Sequence, residues 1–211
     1  KNTRDIVDAE YPYPYCYSGS DSEARGHENF PVYFAHPANM QDASKEIDPT
    51  KTYFTREWGD NVDDWSSHNS PSRVARNWGE QPMRVQAQHY ACPYYPVTSY
   101  DVLYKQSPQH VGGCLWHSFD HQRGYHPDPF YGGILDAFRQ PKTSYYAFMS
   151  QRPQKTRNGL GSGPVVHIAN ECTPFSPEDV TVFSNCDSVR LSVNGGPPVE
   201  KKVASCPGGL K

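Results

Sequence analysis

The hydrophobic and polar positions divide the chain into a first part with separated apolar runs and a last part with short alternating runs. Residues 5–11 (DIVDAEY) form a short, partly apolar run, which predicts a strand leading into a loop. Residues 51–55 (KTYFT) predict a second strand, and residues 109–119 (QHVGGCLWHSF) predict a third, buried one. The second and third strands end in charged or aromatic residues, as strands do at the catalytic face of an α/β barrel.

Helix signals lie between and after these strands. Ser70-Pro71 supplies an N-cap and a first-turn proline, which predicts a short helix at 71–78, and a second helix is expected at 81–90. A third helix is expected to begin at residues 140–142 (QPK). Residues 18–50 are polar and without periodicity, so they predict a long loop that is functional or contains short helices.

The pattern changes after residue 150. Residues 151–163 (QRPQKTRNGLGSG) carry Gly, Pro and charge without an apolar period, which indicates a linker. Short alternating strands follow at 165–168, 180–183 and 189–193, with turns at 184–187 and 194–196. This pattern is typical of an immunoglobulin-like β-sandwich, but such a sandwich needs roughly 100 residues. We therefore expect the chain to be a fragment with three regions, namely 1–150, the linker 151–163 and a partial β-sandwich at 164–211.

Composition and charge exclude several classes of function. The net charge is −3 and the basic residues are scattered, so no nucleic-acid partner is expected. No apolar run approaches the roughly 18 residues that would predict a membrane span. The chain has 15 Tyr and 4 Trp, whose rings combine an apolar face with a polar tip and suit sugar binding, although packing in long loops is the more common reason.

The cysteines and histidines do not predict a metal site or a cofactor. None of the six cysteines lies in a C-x-x-C pair, and no Cys/His cluster has zinc-finger spacing. Cys172, Cys186 and Cys206 could supply one disulfide, but the three cannot all pair with one another. Cysteine usage therefore leaves the compartment open.

Glu57 is the candidate for carboxylate chemistry, because it follows the strand at 51–55 directly. A retaining glycosidase needs an ionised carboxylate held rigidly about 5 to 5.5 Å from a second carboxyl. A strand end gives that rigidity, and Arg56 would favour the charged form. A glutamate at a strand end is more often a surface ion-pair partner, so the residue alone does not decide between the two roles.

Four segments, taken in order, resemble the end of the catalytic barrel of glycoside hydrolase family 2: DIVDAEYPYPY, KTYFTREWGD, HVGGCLWHSFDH and FYGGILDAFRQPKTSYYAF. In that family the sixth strand delivers a tyrosine, matched here by Tyr11. The seventh delivers the nucleophile followed by an aromatic residue and a glycine, matched by Glu57, Trp58 and Gly59. The eighth carries a Gly-Gly-x-x-Trp element that ends here at Trp116, and a Gly-[Ile/Leu/Val]-x-x-x-x-Arg-x-Pro segment closes the barrel.

The resemblance implies a fold and an activity. The fold is α/β, with the carboxy-terminal part of a (β/α)8 TIM barrel followed by an immunoglobulin-like β-sandwich segment. The activity is that of a retaining, exo-acting β-glycosidase, most similar to β-galactosidase-like members from polysaccharide-degrading bacteria, some of which act on agar or porphyran oligosaccharides. A periplasmic or secreted location follows from the same resemblance.

The resemblance also implies the roles of individual residues. Glu57 would form the covalent glycosyl-enzyme, Tyr11 would hydrogen-bond its carboxylate, and Trp116 would stack on the sugar. The remaining expected substrate contacts are Trp58, Phe130 and Asp120.

Two parts of the family's catalytic barrel have no match in this sequence, and their absence determines which partners are expected. The acid/base glutamate of the family, preceded by asparagine, has no match here, and neither do strands one to five. The expected partners are therefore an oligosaccharide substrate and the remainder of the same polypeptide, and a homo-oligomer is compatible with this. Three strands cannot close an eight-stranded barrel, so the 211-residue chain alone is expected to be inactive.

Two alternatives stay open. A β-glucuronidase or β-mannosidase of the same family would keep the mechanism and change the sugar. A non-catalytic carbohydrate-binding β-protein would hold a glycan on its Tyr and Trp surface without cleaving it.

Overall fold

The structure is a computed structural model of mixed helices and strands. It describes residues 3–14, 16–19, 26–35, 50–58, 72–91, 110–122, 124 and 127–202. The chain divides into two compact units. Unit 1 comprises Lys1–Ser67 with Pro93–His117, and unit 2 comprises His68–Cys92 with Ser118–Lys211.

Unit 1 contains a parallel sheet of three strands in the order β1 (Val32–Ala35), β2 (Thr52–Trp58) and β3 (His110–Leu115). Aromatic rings stack between the first two strands, with centroids 5.7 Å apart for Phe34 and Phe54. The strands predicted at 51–55 and 109–119 are confirmed, and the first of them extends to residue 58.

The strand predicted at 5–11 is wrong, because these residues form the helix α1 (Thr3–Glu10). Arg4 and Asp8, one helical turn apart, pair at 3.2 Å, and the amide of Tyr11 donates to the carbonyl of Val7 at 2.8 Å. All described side chains of α1 are exposed or half-buried. Since Ile6 and Val7 are adjacent, they define neither a strand period nor a helix period, and the ion pair of Arg4 with Asp8 adds a small amount of support to the helix.

The strand β1 lies inside the region predicted as a long loop. It is preceded by a 3-10 helix at His27–Asn29, so the expectation of short helical pieces there is confirmed. The run VYFA is only four residues long, which is too short for its period to be read.

Among its described residues, unit 2 contains two α-helices, one 3-10 turn and four short strands. The helices are α2 (Glu80–Ala91) and α3 (Thr143–Ser150), which confirm the predictions at 81–90 and after 140–142. They pack against each other, with the rings of Tyr90 and Phe148 5.2 Å apart. The buried apolar side chains of this unit are Val74, Ala75, Met83, Ala87, Tyr90, Phe130, Ala147 and Ala169.

The helix predicted at 71–78 is wrong, because only Arg76–Trp78 forms a single 3-10 turn. Residues 72–75 have no helical turn and are buried. The amide of Val74 donates to the carbonyl of Tyr131 at 3.1 Å, so this backbone is bonded to a distant segment rather than within a helix.

The last part of unit 2 forms two antiparallel strand pairs, β4 (Val166–Ile168) with β5 (Val182–Ser184) and β6 (Ser188–Leu191) with β7 (Val199–Lys202). The three predicted strands of this region are confirmed in position. The turn predicted at 194–196 is present, with the amide of Gly196 bonded to the carbonyl of Val193 at 2.9 Å. Strand β7 was not predicted, because its sequence VEKK does not alternate and all four residues are exposed.

Residues 151–163, predicted as a linker, are bonded to the turn after β5. The side-chain amide of Asn185 donates to the carbonyls of Arg152 and Gly163, both at 2.9 Å, and its oxygen accepts from the amide of Val165 at 2.8 Å. The division at 151–163 and the partial sandwich at 164–211 stay predictions.

Two further observations concern the described residues alone. Their cysteines Cys16, Cys114, Cys172 and Cys186 are free thiols, while Cys206 lies outside the described residues. Within the same part of the chain, no helix is long and apolar enough to cross a membrane.

Candidate functional site

Glu57 is the second-last residue of β2, at the carboxyl end of a strand in a parallel sheet. Trp58 is paired in register with Leu115, the last residue of β3, so the two strands end at the same edge. The side chains of Glu57 and Trp58 lie outside the described part of the structure. Their roles as nucleophile and substrate contact stay predictions.

The register brings the backbones of Glu57 and Trp116 close together. Trp116 follows Leu115 directly, one strand across and two residues along from Glu57. In regular strands about 4.8 Å apart with a rise of about 3.3 Å per residue, this offset corresponds to a Cα separation of about 8 Å. A register irregularity lies between Thr55 and Trp58, the interval that contains Glu57. Such irregularities re-aim side chains and are frequent beside active sites.

Trp116 is half-buried, and its ring centroid lies 5.1 Å from that of the buried His117. Of the two glycines in β3, Gly112 lies close to a side chain of β2. A Cβ on Gly112 would lie 3.2 Å from the ring of Phe54, which is tighter than an ordinary contact. The packing against β2 therefore favours glycine at residue 112.

Tyr11 does not follow a strand, because it is the first residue after α1. Its ring is 46% exposed and contacts Tyr13 and Tyr17 edge-on, with centroids 5.6 and 6.3 Å away. The hydroxyl of Tyr17 donates to Asp8, and this hydrogen bond raises the pKa of Tyr17. The predicted hydrogen bond from Tyr11 to Glu57 involves a side chain outside the described residues.

Asp120 lies in unit 2, where its carboxylate is part of a buried ion pair. Its Oδ1 accepts from Nζ of Lys142 at 2.7 Å and from the amide of Gly133 at 3.0 Å. Nζ of Lys142 also donates to the carbonyls of Val74 and Tyr131, at 2.5 and 3.0 Å. This network joins the segment before α2 to the loop before α3. A substrate contact by Asp120 stays a prediction.

The ion pair is held in its charged form by its hydrogen bonds. Burial raises the pKa of Asp120 and lowers the pKa of Lys142, while the attraction between the two charges opposes both shifts. Nζ of Lys142 has three acceptors and therefore uses three hydrogens, which only the ammonium form carries. We take the pair as ionised on this geometry.

Phe130 also lies in unit 2, and its ring is only 2% exposed. The guanidinium of Arg73 sits 4.2 Å from the ring centroid, and a Cβ on Gly132 would collide with the ring. The backbone of Phe130 pairs with that of His121, which follows Asp120, so the structure brings Phe130 and Asp120 together. The ring packs as a core residue in this structure, and its contact with a sugar stays a prediction.

Three buried or half-buried polar residues that the sequence analysis did not single out support this region. The side chain of Gln86 donates to the carbonyls of Ser72 and Gly133 and accepts from the hydroxyl of Ser144. Nε of Arg76 donates to Asp136 at 2.7 Å. Burial acts to raise the pKa of Asp136, but its bonds to Arg76 and to backbone amides outweigh burial and hold the pKa below its usual range. Lys142 is the third of these residues. Its one sequence signal is its position directly after the Arg-x-Pro element.

No group of three or more His, Cys, Asp or Glu residues that could hold a metal ion occurs among the described residues. The carboxylates of Asp120 and Asp136 are bonded to lysine, arginine or backbone amides. Their surroundings therefore fit ion pairs rather than a cation site.

No protein-family model and no curated protein sequence matches the chain. Among solved structures, it is similar to a Parabacteroides merdae β-glucuronidase, with 20% identity and a TM-score of 0.48 over 85% of this chain and 24% of that one. It is similar to β-glucuronidase 3 of Bacteroides uniformis, with 18% identity and a TM-score of 0.48 over 85% of this chain and 25% of that one. A third structure is described as a β-glucuronidase from glycoside hydrolase family 2, with 19% identity and a TM-score of 0.43 over 86% and 20% of the two chains.

The chain thus spans about a quarter of the length of the solved structures that it resembles. Identities and TM-scores this low describe a partial likeness. The function is inferred from the residues of this chain.

Proposed function

We propose that this chain carries the nucleophile of a retaining, exo-acting β-glycosidase of the glycoside hydrolase family 2 type, and that Glu57 is that nucleophile. The observation that supports this most is the position of Glu57 at the carboxyl end of a parallel strand, in register with the strand that leads into Trp116. Neighbouring strand ends at one edge of a parallel sheet allow a carboxylate and an aromatic ring to contact the same sugar. The family motifs occur in the same order along the chain.

The proposed reaction has two steps. The Glu57 carboxylate attacks the anomeric carbon while the bond to the leaving oxygen breaks, and an acid/base carboxyl gives that oxygen its proton. The same carboxyl then takes a proton from water, whose oxygen attacks the anomeric carbon and releases Glu57. The acid/base group would come from the remainder of the same polypeptide, because no segment of this chain matches it.

The finer architecture is part of the same proposal. Strands β1, β2 and β3 would be adjacent strands of a (β/α)8 barrel, with α2 and α3 following the second and third of them. Parallel strands linked through helices are the elements of such a barrel. The strand pairs β4–β5 and β6–β7 would belong to an immunoglobulin-like β-sandwich.

The proposed substrate is a β-galactoside within an oligosaccharide, with agar- or porphyran-type chains as the narrower class. β-Glucuronides and β-mannosides are the alternatives within the same chemistry. The proposal includes a periplasmic or secreted location. A homo-oligomer is compatible with it.

Removal of the nucleophile followed by chemical rescue tests this function. In the protein at its full natural length, Glu57→Ala should lower β-galactosidase activity by at least about 10³-fold, because the covalent intermediate cannot form. Added azide should restore turnover and give the α-glycosyl azide, since a small anion fits the space that the carboxylate leaves. Glu178→Ala, which removes an exposed glutamate, is the matched control. Full activity of Glu57→Ala would exclude this nucleophile.

The non-catalytic alternative predicts a different result. A carbohydrate-binding protein would show no turnover with any β-glycoside, and Glu57→Ala would change at most its affinity for the glycan. The number of Tyr and Trp residues is the one feature of the chain that favours this alternative.

A further inference from the structure

A stacked pair of rings joins strand β4 to helix α3 within unit 2. The imidazole of His167 and the phenol ring of Tyr146 lie face to face, with centroids 3.6 Å apart and planes at 9°. Both side chains are half-buried. Because side chains alternate along a strand, His167 points to the helix, while its neighbours Val166 and Ile168, which are 62% and 43% exposed, point away from it.

His167 faces no carboxylate in the described elements of this contact. Helix α3 has the sequence TSYYAFMS and β5 has the sequence VFS, so neither of them carries an acidic or basic residue. Phe183 of β5 lies opposite His167 in the register. The remaining titratable side chains of these elements are Tyr145 and Tyr146, which are phenols and offer the imidazole no negative charge at acidic pH.

Helix α2 reaches the same strand pair with two opposite charges. Nη2 of Arg84 donates to the hydroxyl of Thr181 at 2.7 Å. The carboxylate of Glu80 accepts from the amide of Glu171 at 3.1 Å and from the hydroxyl of Ser176. Arg84 and Glu80 also pair with each other at 3.6 Å, so together they add no net charge to the contact. Their hydrogen bonds hold the loop between β4 and β5 independently of the ring stack.

Protonation of His167 is therefore less favourable when β4 is docked on α3 than when it is open. The docked imidazole is partly removed from water and has no counter-charge, and burial lowers the pKa of His167 from its usual value of 6.5. The face of the Tyr146 ring attracts a cation, which opposes this effect but supplies no full negative charge. The open strand takes up the proton more readily, so docking is complete above about pH 6.5 and weakens as the pH falls below it.

We propose that the contact between His167 and Tyr146 is an acid-sensitive switch, which holds the strand pair β4–β5 against α3 at neutral pH and releases it locally under acidic conditions. The hydrogen bonds of Glu80 and Arg84 keep the loop between the two strands in place, so the release is a local opening and not a loss of the fold. The switch does not depend on the role of Glu57.

Hydrogen exchange of the protein at full natural length, measured by mass spectrometry at pH 7.5 and 5.5, tests the switch. His167→Phe keeps a flat ring on Tyr146 without a titratable nitrogen. After correction for intrinsic exchange rates, the loss of protection in β4 and β5 towards acid should be about 3-fold larger in the wild type than in this variant. His121→Phe, which replaces a half-buried histidine outside the contact, is the matched control and should behave as the wild type.

A second variant separates the stack from the titration. Tyr146→Leu removes the stack, so it should lower the protection of β4 and β5 at both pH values. An NMR titration of the His167 imidazole should give a pKa below 6.5 in the wild type and one closer to 6.5 in Tyr146→Leu. The same loss of protection towards acid with and without His167, or a His167 pKa of 6.5 or higher in the wild type, would overturn the switch.

Discussion

At the scale of single residues, the most consequential feature is the charged pair of Asp120 and Lys142 inside unit 2. Lys142 is fully buried, and its ammonium holds three segments together through Asp120, Val74 and Tyr131. A buried ion pair is weak evidence for stability by itself, but removing one partner leaves an uncompensated charge.

We therefore expect Lys142→Met to lower the free energy of unfolding by about 3 kcal/mol or more, because Asp120 stays buried without its cation. Urea denaturation measures this change. Lys155→Met, at an exposed position, is the matched control and should cost less than about 0.5 kcal/mol. In the double variant with Asp120→Asn, part of the loss should return. Equal stability of Lys142→Met and the wild type would show that the network is not formed.

His89 predicts a pH dependence of stability. It is buried in α2, and burial lowers its pKa to about 4. The unfolded chain, with a histidine pKa of about 6.5, binds more protons between pH 4 and 6.5 than the folded chain does. Stability contributed by neutral His89 is therefore complete above about pH 6.5 and is lost as the pH falls towards 4, by about 3 kcal/mol in total.

Urea denaturation of the wild type and of His89→Leu at pH 7 and pH 4.5 measures this effect. The variant should show a shallower loss of stability towards acid than the wild type. Parallel losses in both proteins would mean that His89 is accessible to protons in the folded state.

At the scale of elements, Gly133 lies where two backbone segments pack closely. A Cβ on Gly133 would lie 2.5 Å from the carbonyl carbon of Phe119 and from the carbonyl oxygen of Leu135, closer than real contacts allow. The amide of Gly133 also donates a hydrogen bond to the carboxylate of Asp120. Gly133 is thus required by the packing of the loop around residues 119–120.

Gly133→Ala should lower the free energy of unfolding by about 3 kcal/mol, because two backbone segments would have to separate. Gly159→Ala is the comparison, since a Cβ there meets nothing within 4 Å and only its φ of 75° is unfavourable. It should cost about 1 kcal/mol. Similar losses for both variants, measured by thermal or urea unfolding, would contradict the close packing at Gly133.

The elements that the sequence predicted are those with a strong local signal. Strand β2 begins with a run of β-branched and aromatic residues, and α2 places Met83, Ala87 and Tyr90 at helical spacing behind Pro82. Helix α1 was missed because two adjacent apolar residues define no period. Strand β1 was missed because four residues in a polar stretch become a strand only by pairing with β2, which is distant in sequence.

Those features of the candidate site that follow from the order of residues along the chain could be predicted from the sequence. The position of Glu57 at a strand end and the motif order that leads to Trp116 could be read directly. The pairing of Asp120 with Lys142 could not, because it joins residues 22 apart through a loop whose path depends on the fold.

At the scale of the whole molecule, the proposed reaction needs a second carboxyl as acid/base, and no segment of this chain matches the acid/base motif of the family. The 211-residue chain on its own should therefore show no turnover of aryl β-galactosides, even where circular dichroism shows that it is folded. Turnover by the isolated chain would mean that the acid/base residue lies within it.

The central claim is that Glu57 becomes covalently bound to the sugar, and trapping of that intermediate tests it most directly. The protein at full natural length is incubated with a 2-fluoro-galactosyl fluoride, and the labelled peptide is identified by mass spectrometry. We predict a single fluorogalactosyl adduct on Glu57. The fluorine at C2 slows both attachment and release of the sugar, while the good leaving group at the anomeric carbon speeds attachment alone, so the covalent intermediate accumulates. Labelling of Glu57 only by the glucuronyl or mannosyl reagent would keep the nucleophile and change the sugar. An adduct on another carboxylate, or none with any of the three reagents, would contradict the account.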